Sequence, residues 1–136
     1  KEISAAAFTY LYHHFDGITW YIQYVLNMLY TSISDKSLLQ EEDVKMAIDG
    51  ILSQQRFAYQ ALLYQLTAKQ KQVLIAIAQE GKPSSLMSQE FLQKYHLGAS
   101  TVQGAVKTLL DRDFITQDEG VYQLCDKFLE LSLRDN

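Results

Sequence analysis

The stretch STVQGAVKTLLDRDFI, residues 100–115, decides how the second half of the chain is read. Val102, Val106, Leu109 and Leu110 recur at spacings of three and four, the repeat that lines one face of an α-helix with apolar side chains. The opposite face then carries Ser100, Thr101, Gln103, Gly104, Lys107 and Thr108, small or polar residues turned away from a core. Ser100, followed three residues on by Gln103, reads as a capping box at the helix start. Past Asp113 the pattern changes to FIT, then QDEG, then VYQL, two short extended pieces around a turn that together predict a β-hairpin.

Outward from this stretch the same signals repeat. Upstream, LTAKQ sets Thr67 against Gln70 as a capping box, and a helix to Glu80 follows with Val73, Leu74 and Ile77 inward. GKPSS, with the chain's only proline, ends it. Ser88 is the N-cap of a short helix SQEFLQKY, and HLG makes the next turn, with Gly98 supplying its freedom and His96 a structural member of it. Downstream of the hairpin a last amphipathic helix covers Phe128 to Leu133. Helix, turn, helix, turn, helix, hairpin is the order of a winged helix-turn-helix. The expected fold is mainly α, with a winged-helix domain over residues 67–136.

Residues 1–66 read as a separate helical unit. A first helix runs from Ser4 to Phe15 and stops at DG, where Gly17 can take the left-handed conformation. A second, TWYIQYVLNMLYTS, has two apolar stripes, Ile22, Leu26 and Leu29 beside Trp20, Tyr24 and Met28, an arc wide enough to predict burial or two packing partners. SISDKSLLQ is a loop. A third helix, opened by Glu41, Glu42 and Asp43 at its positive end, is expected to run unbroken to Tyr64 and to hold the two halves in a fixed relation.

The chain has 136 residues, 48% of them hydrophobic, enough to bury a core. It begins at Lys1 without an initiator methionine and enters helical sequence almost at once, which suggests a piece of a longer protein. A single cysteine excludes an internal disulfide framework, and no secretory signal or membrane-spanning run is evident, so a cytoplasmic setting is the default. The net charge of −4 gives no general attraction to phosphate backbones. Within 67–124 the bases Lys69, Lys71, Lys82, Lys94, Lys107 and Arg112 are balanced by Glu80, Glu90, Asp111, Asp113, Asp118 and Glu119, and the hairpin tip is acidic. Gln103 and its hydroxylated neighbours suit base-edge contacts, but phosphate contacts supply most DNA affinity and few cations are on offer.

Other chemistry is thin. His13 and His14 with Asp16 lack a third ligand, and adjacent helical residues diverge by about 100°, so they read as helix-end polar residues and no metal is expected. Cys125 reads as a small buried hydrophobe. Tyr10, Tyr12, Trp20, Tyr21, Tyr24 and Tyr30 are dense for one unit, with core packing the plainer reading and a docking surface the other. No nucleophile, base and orienting group fall together, so the chain is not expected to be an enzyme in itself.

Taken jointly, FDGITWYIQYVLNMLY followed by LTAKQKQVLIAIA, STVQGAVKTLLDRDFI and VYQLCDKFLE resembles the C-terminal helical lid and winged helix of an archaeal-type, AAA-related P-loop ATPase family also common in gut bacteria. The resemblance covers nearly the whole chain. It implies that the lid packs on an ATPase core of the same protein through residues at the positions of Gly17, Trp20, Tyr21 and Tyr24, and that ATP and Mg belong to that parent. The chain has no glycine-rich loop ending in Lys and Ser or Thr at the required spacing, so it holds no cofactor of its own. No arginine or lysine lies between Asp16 and Tyr30 to reach a γ-phosphate. The winged helix would then contact a protein partner or DNA through Ser100, Thr101, Gln103, Gly104 and Lys107, with no membrane involved. The alternative is a DNA-binding transcription regulator whose N-terminal helices dimerise or bind an effector.

Overall fold

The computed structural model describes residues 2–32 and 35–134, which fall into two compact units, Lys1–Gln55 and Arg56–Asn136. In the first unit, α1 (Ala5–His14) is capped by Ser4, whose hydroxyl accepts from the Ala7 N–H at 3.1 Å. At its other end the Gly17 N–H donates to the Tyr12 carbonyl at 2.8 Å and the Asp16 N–H to His13 at 3.3 Å. This is a Schellman closure, with Asp16 itself as well as Gly17 at positive φ.

Helix α2 (Thr19–Ser32) and α1 both pack on α3 (Glu41–Gln54), and the core between them is Leu11, Phe15, Val25, Leu29, Val44 and Ile51. Each such side chain taken fully out of water contributes about 1.5–3 kcal/mol. The stretch read as a loop contains a strand: β2 (Leu38–Leu39) pairs in parallel with β1 (Glu2–Ile3), and Ser4 N–H donates to Leu39 O. Positions 33 and 34 of that stretch lie outside the described residues. The N-terminus of α3 is set by Asp43, whose carboxylate accepts from the Gln40 N–H at 2.8 Å and from Lys36 Nζ at 2.9 Å.

The single long helix expected over Glu41–Tyr64 is instead two, α3 and α4 (Arg56–Leu63), with Gln55 between them in a turn. Ser53, Gln54, Gln55 and Arg56 place no apolar side chain at the junction, so no apolar stripe runs through it to hold one continuous helix. Helix α4 clusters with the second compact unit, which begins at Arg56. The Tyr59 hydroxyl, donating to Asp126 Oδ2 at 3.2 Å, is one tie.

In the second unit α5 (Ala68–Glu80) is central, packing on α7 (Ala99–Asp111), α8 (Lys127–Arg134) and β4 (Val121–Leu124). The Thr67–Gln70 capping box is present in both directions, and Ser88 caps α6 (Gln89–Lys94). The α6–α7 turn differs from expectation. His96, at φ 54°, is the left-handed residue, while Gly98, at φ −85° and ψ 149°, is an ordinary extended N-cap. The Ser100–Gln103 capping box does not form, because the N-cap of α7 lies two residues earlier, at Gly98, which has no side chain to accept a bond.

Strand β3 (Ile115–Asp118) pairs antiparallel with β4 around a two-residue loop, Glu119–Gly120, both at positive φ. The Tyr122 N–H also donates to the Pro83 carbonyl at 2.9 Å, so the segment after α5 closes on the hairpin by a backbone bond. Helix α8 keeps its amphipathic pattern but is buried around most of its surface. Even Lys127 and Glu130 are buried, 3.6 Å apart.

Candidate functional site

The core stripe of α7 is Val102, Ala105 and Leu109, all buried, with Val106 and Leu110 half-buried beside it. This fixes which residues point out. Ser100, Gln103, Gly104 and Lys107 are exposed, and Thr101 and Thr108 lie half-buried at the border. A Cβ added to Gly104 would meet nothing within 4 Å, so neither packing nor backbone conformation demands a glycine there.

The electrostatics of this face are weak. Lys94, which could have lain near a bound phosphate, is 2.5 Å from Glu80 Oε1, and the same oxygen accepts from the Tyr95 hydroxyl. The bonds from Lys94 and then Tyr95 hold the Glu80 carboxyl below its ordinary range, and the bond to Glu80 with its charge raises the Lys94 ammonium. Arg112 turns back to donate to the Gln65 carbonyl at 3.2 Å. Beyond α7, the hairpin tip presents Asp118 and Glu119, both exposed. The face thus has helix-and-hairpin shape, one cation in Lys107, and an acidic edge.

The aromatic group of the first unit is not core. Trp20 is 62% exposed, Tyr12 47%, Tyr30 41% and Tyr24 36%, while Tyr10 and Tyr21 are half-buried. Of the two apolar stripes on α2, the first has Ile22 and Leu29 buried but Leu26 only half-buried, with Val25, in neither stripe, fully buried beside them; in the second Trp20 and Tyr24 face out, their rings stacked at 5.5 Å, and Met28 is half-buried. The helix is therefore buried on one face, not all round. Tyr21 stacks on buried Phe15 at 5.4 Å, so it belongs to the support of this patch. Gly17 sits beneath the Tyr12 ring.

Among the described residues no group of His, Cys, Asp and Glu could hold a metal ion. His13 is exposed and His14 half-buried against Tyr10 and Phe15. Cys125 is exposed, not buried as its apolar neighbours suggested, because it follows β4 at the outward position after buried Leu124. Partial desolvation, together with the carboxylates of Asp113 and Asp126, pushes its thiol up, away from a reactive thiolate. No described helix is long and apolar enough to cross a membrane.

One feature escaped sequence reasoning: a cleft of about 310 Å³ between the α5–α6 loop, α7 and the hairpin, with Gln103 in its lining. No periodicity signals it, since its walls come from three separate segments. Comparison with curated proteins and with solved structures returns no match. Residues 57–135 match the family model described as "Probable winged helix domain", a span that opens with α4 and takes in the hairpin and α8. The chain belongs to this winged helix domain family.

Proposed function

We propose that the chain is the non-catalytic C-terminal region of a larger P-loop ATPase, in which the first unit packs on the nucleotide-binding core and the winged helix contacts a protein partner. The observation that carries the second half is the charge of the α7 face. Lys107 stands alone on the outward side of α7, and Asp118 and Glu119 occupy the hairpin tip that would meet a DNA strand. Phosphate contacts dominate DNA affinity, so a reader built this way lacks its main source of binding energy. The first half is supported by the resemblance over FDGITWYIQYVLNMLY and by the exposed Trp20 and Tyr24, apolar surface of the kind that marks contact sites.

Two measurements test it. The open reading frame should encode a glycine-rich loop ending in Lys and Ser or Thr upstream of Lys1, and its absence would remove the ATPase parent. Anisotropy with a labelled random duplex at about 50 mM salt, where phosphate contacts are strong, should detect no saturable binding. Saturable binding that weakens on Lys107→Ala would favour the regulator reading instead.

A further inference from the structure

The cleft beside α7 carries a specific chemistry. Its base is apolar, formed by Leu86 and Val102, both buried, and half-buried Val106. Its more exposed lining mixes amide and hydroxyl groups, Gln103 from α7, Gln117 from β3 and Ser84 from the α5–α6 loop, with the apolar Met87 and half-buried Tyr122. None of the described residues lining it is charged. A phosphate, carboxylate or ammonium group entering here would lose part of its hydration with no counter-charge in the lining to replace it, which disfavours charged ligands. Carboxamides at the rim can both donate and accept, which is what the peptide groups on either side of an inserted side chain require.

The site is also preformed. The Tyr122 N–H to Pro83 carbonyl bond locks the hairpin to the α5–α6 loop, and the base residues are fixed by the domain core, so an occupant has little to reorganise. At about 310 Å³ the cleft is at the small end of ligand pockets, enough for one side chain and its flanking backbone. We propose that this cleft receives a single uncharged apolar side chain of a protein partner, with the partner's adjacent peptide groups meeting Gln103 and Gln117. This rests on the reading of the α7 face as a protein contact, and it places the anchor point of that contact beside α7 and not on Lys107.

The test is a titration of the ¹⁵N-labelled chain with N-acetyl-leucinamide, followed by amide shifts. Saturable shifts are expected at the Gln103 and Gln117 side-chain amides and at the Gly120 and Tyr122 backbone. N-acetyl-lysinamide and the amide of N-acetyl-aspartate should need at least about tenfold higher concentration, since each buries a charge. Val106→Trp, which fills the base, should abolish the shifts. If that variant loses its dispersed spectrum, Gln103→Glu, at an exposed helical position, should weaken binding severalfold with the fold intact. Absence of saturable shifts at these positions, or equal response to the charged amides, overturns the proposal without touching the duplex assay. A positive titration in a chain that also binds duplex keeps the neutral cleft and overturns the protein partner.

Discussion

Asp16, His96 and Asp113 all sit at positive φ, and each occupies the same place, the residue after the C-cap of a helix. In each case the next N–H reaches back into the last turn, as Leu97 does to Leu92 and Phe114 to Leu109, both at 2.9 Å. The cost of a left-handed Asp or His is accepted because the closure satisfies carbonyls that the helix end would leave bare. Gly17 follows one such closure, at φ 70°, and an added Cβ would fall 2.7 Å from the Tyr12 ring. Gly17→Ala should therefore destabilise the first unit by about 1–2 kcal/mol in urea denaturation. Gly104→Ala, in open space on a regular helix, should stabilise the second unit by about 0.5–1 kcal/mol. Equal effects would show that conformation and clash are not what separates the two positions.

A pH effect belongs at the same scale. The Gln40 N–H, and then Lys36, hold the buried Asp43 carboxyl below its ordinary value of 3.8. A carboxyl depressed in the folded state binds its proton more readily when unfolded, so its stabilisation is whole above that ordinary value and drains as pH falls through the lower native one. Asp43→Asn should flatten the fall in the first unit's stability as pH drops below the ordinary value of 3.8, and leave its pH dependence above that value unchanged. An unchanged acid limb would assign the loss to other carboxylates.

At the scale of elements, helix starts were legible because Thr67, Ser88 and Ser4 announce themselves chemically. The break at Gln55 was not, since Phe57 and Leu62 keep the helical spacing of α3, and that periodicity runs past the four polar residues Ser53 to Arg56 without registering a stop. The β1–β2 pair was illegible for another reason: two residues per strand carry no alternation, and their pairing is set by distant chain. Helix α8 depends on a cap that spacing alone did not mark. Asp126 Oδ1 accepts from the Phe128 N–H at 2.9 Å and the Leu129 N–H at 3.3 Å, while Oδ2 takes the Tyr59 hydroxyl. Asp126→Ala should cost about 1–2 kcal/mol, the value of an N-cap, and Tyr59→Phe about 0.5–1.5 kcal/mol for one hydrogen bond. Because the two share a carboxylate, the double variant should cost less than the sum.

For the whole molecule, the outward face of α7 was readable as the complement of its apolar stripe, but its surroundings were not. The Arg112 and Lys94 side chains are withdrawn by Gln65 and Glu80, partners far from them in sequence, so a count of charges overstated the cations near the face. Shape and charge thus separate cleanly here: the fold is one that can sit in a DNA groove, and its charges oppose that use. Converting the hairpin tip should then suffice to expose the latent geometry. Asp118→Lys with Glu119→Lys leaves the two-residue loop length and Gly120 in place, and changes the tip by four charge units. The variant should acquire duplex binding at low salt whose log–log salt dependence has a slope of roughly −2, about one unit per new phosphate contact. If the variant stays inert while its fold and stability are kept, then something other than charge, such as the orientation of the hairpin against α7, bars the groove. If the unmodified chain already binds with a steep salt slope, the electrostatic argument for a protein partner fails at its first step.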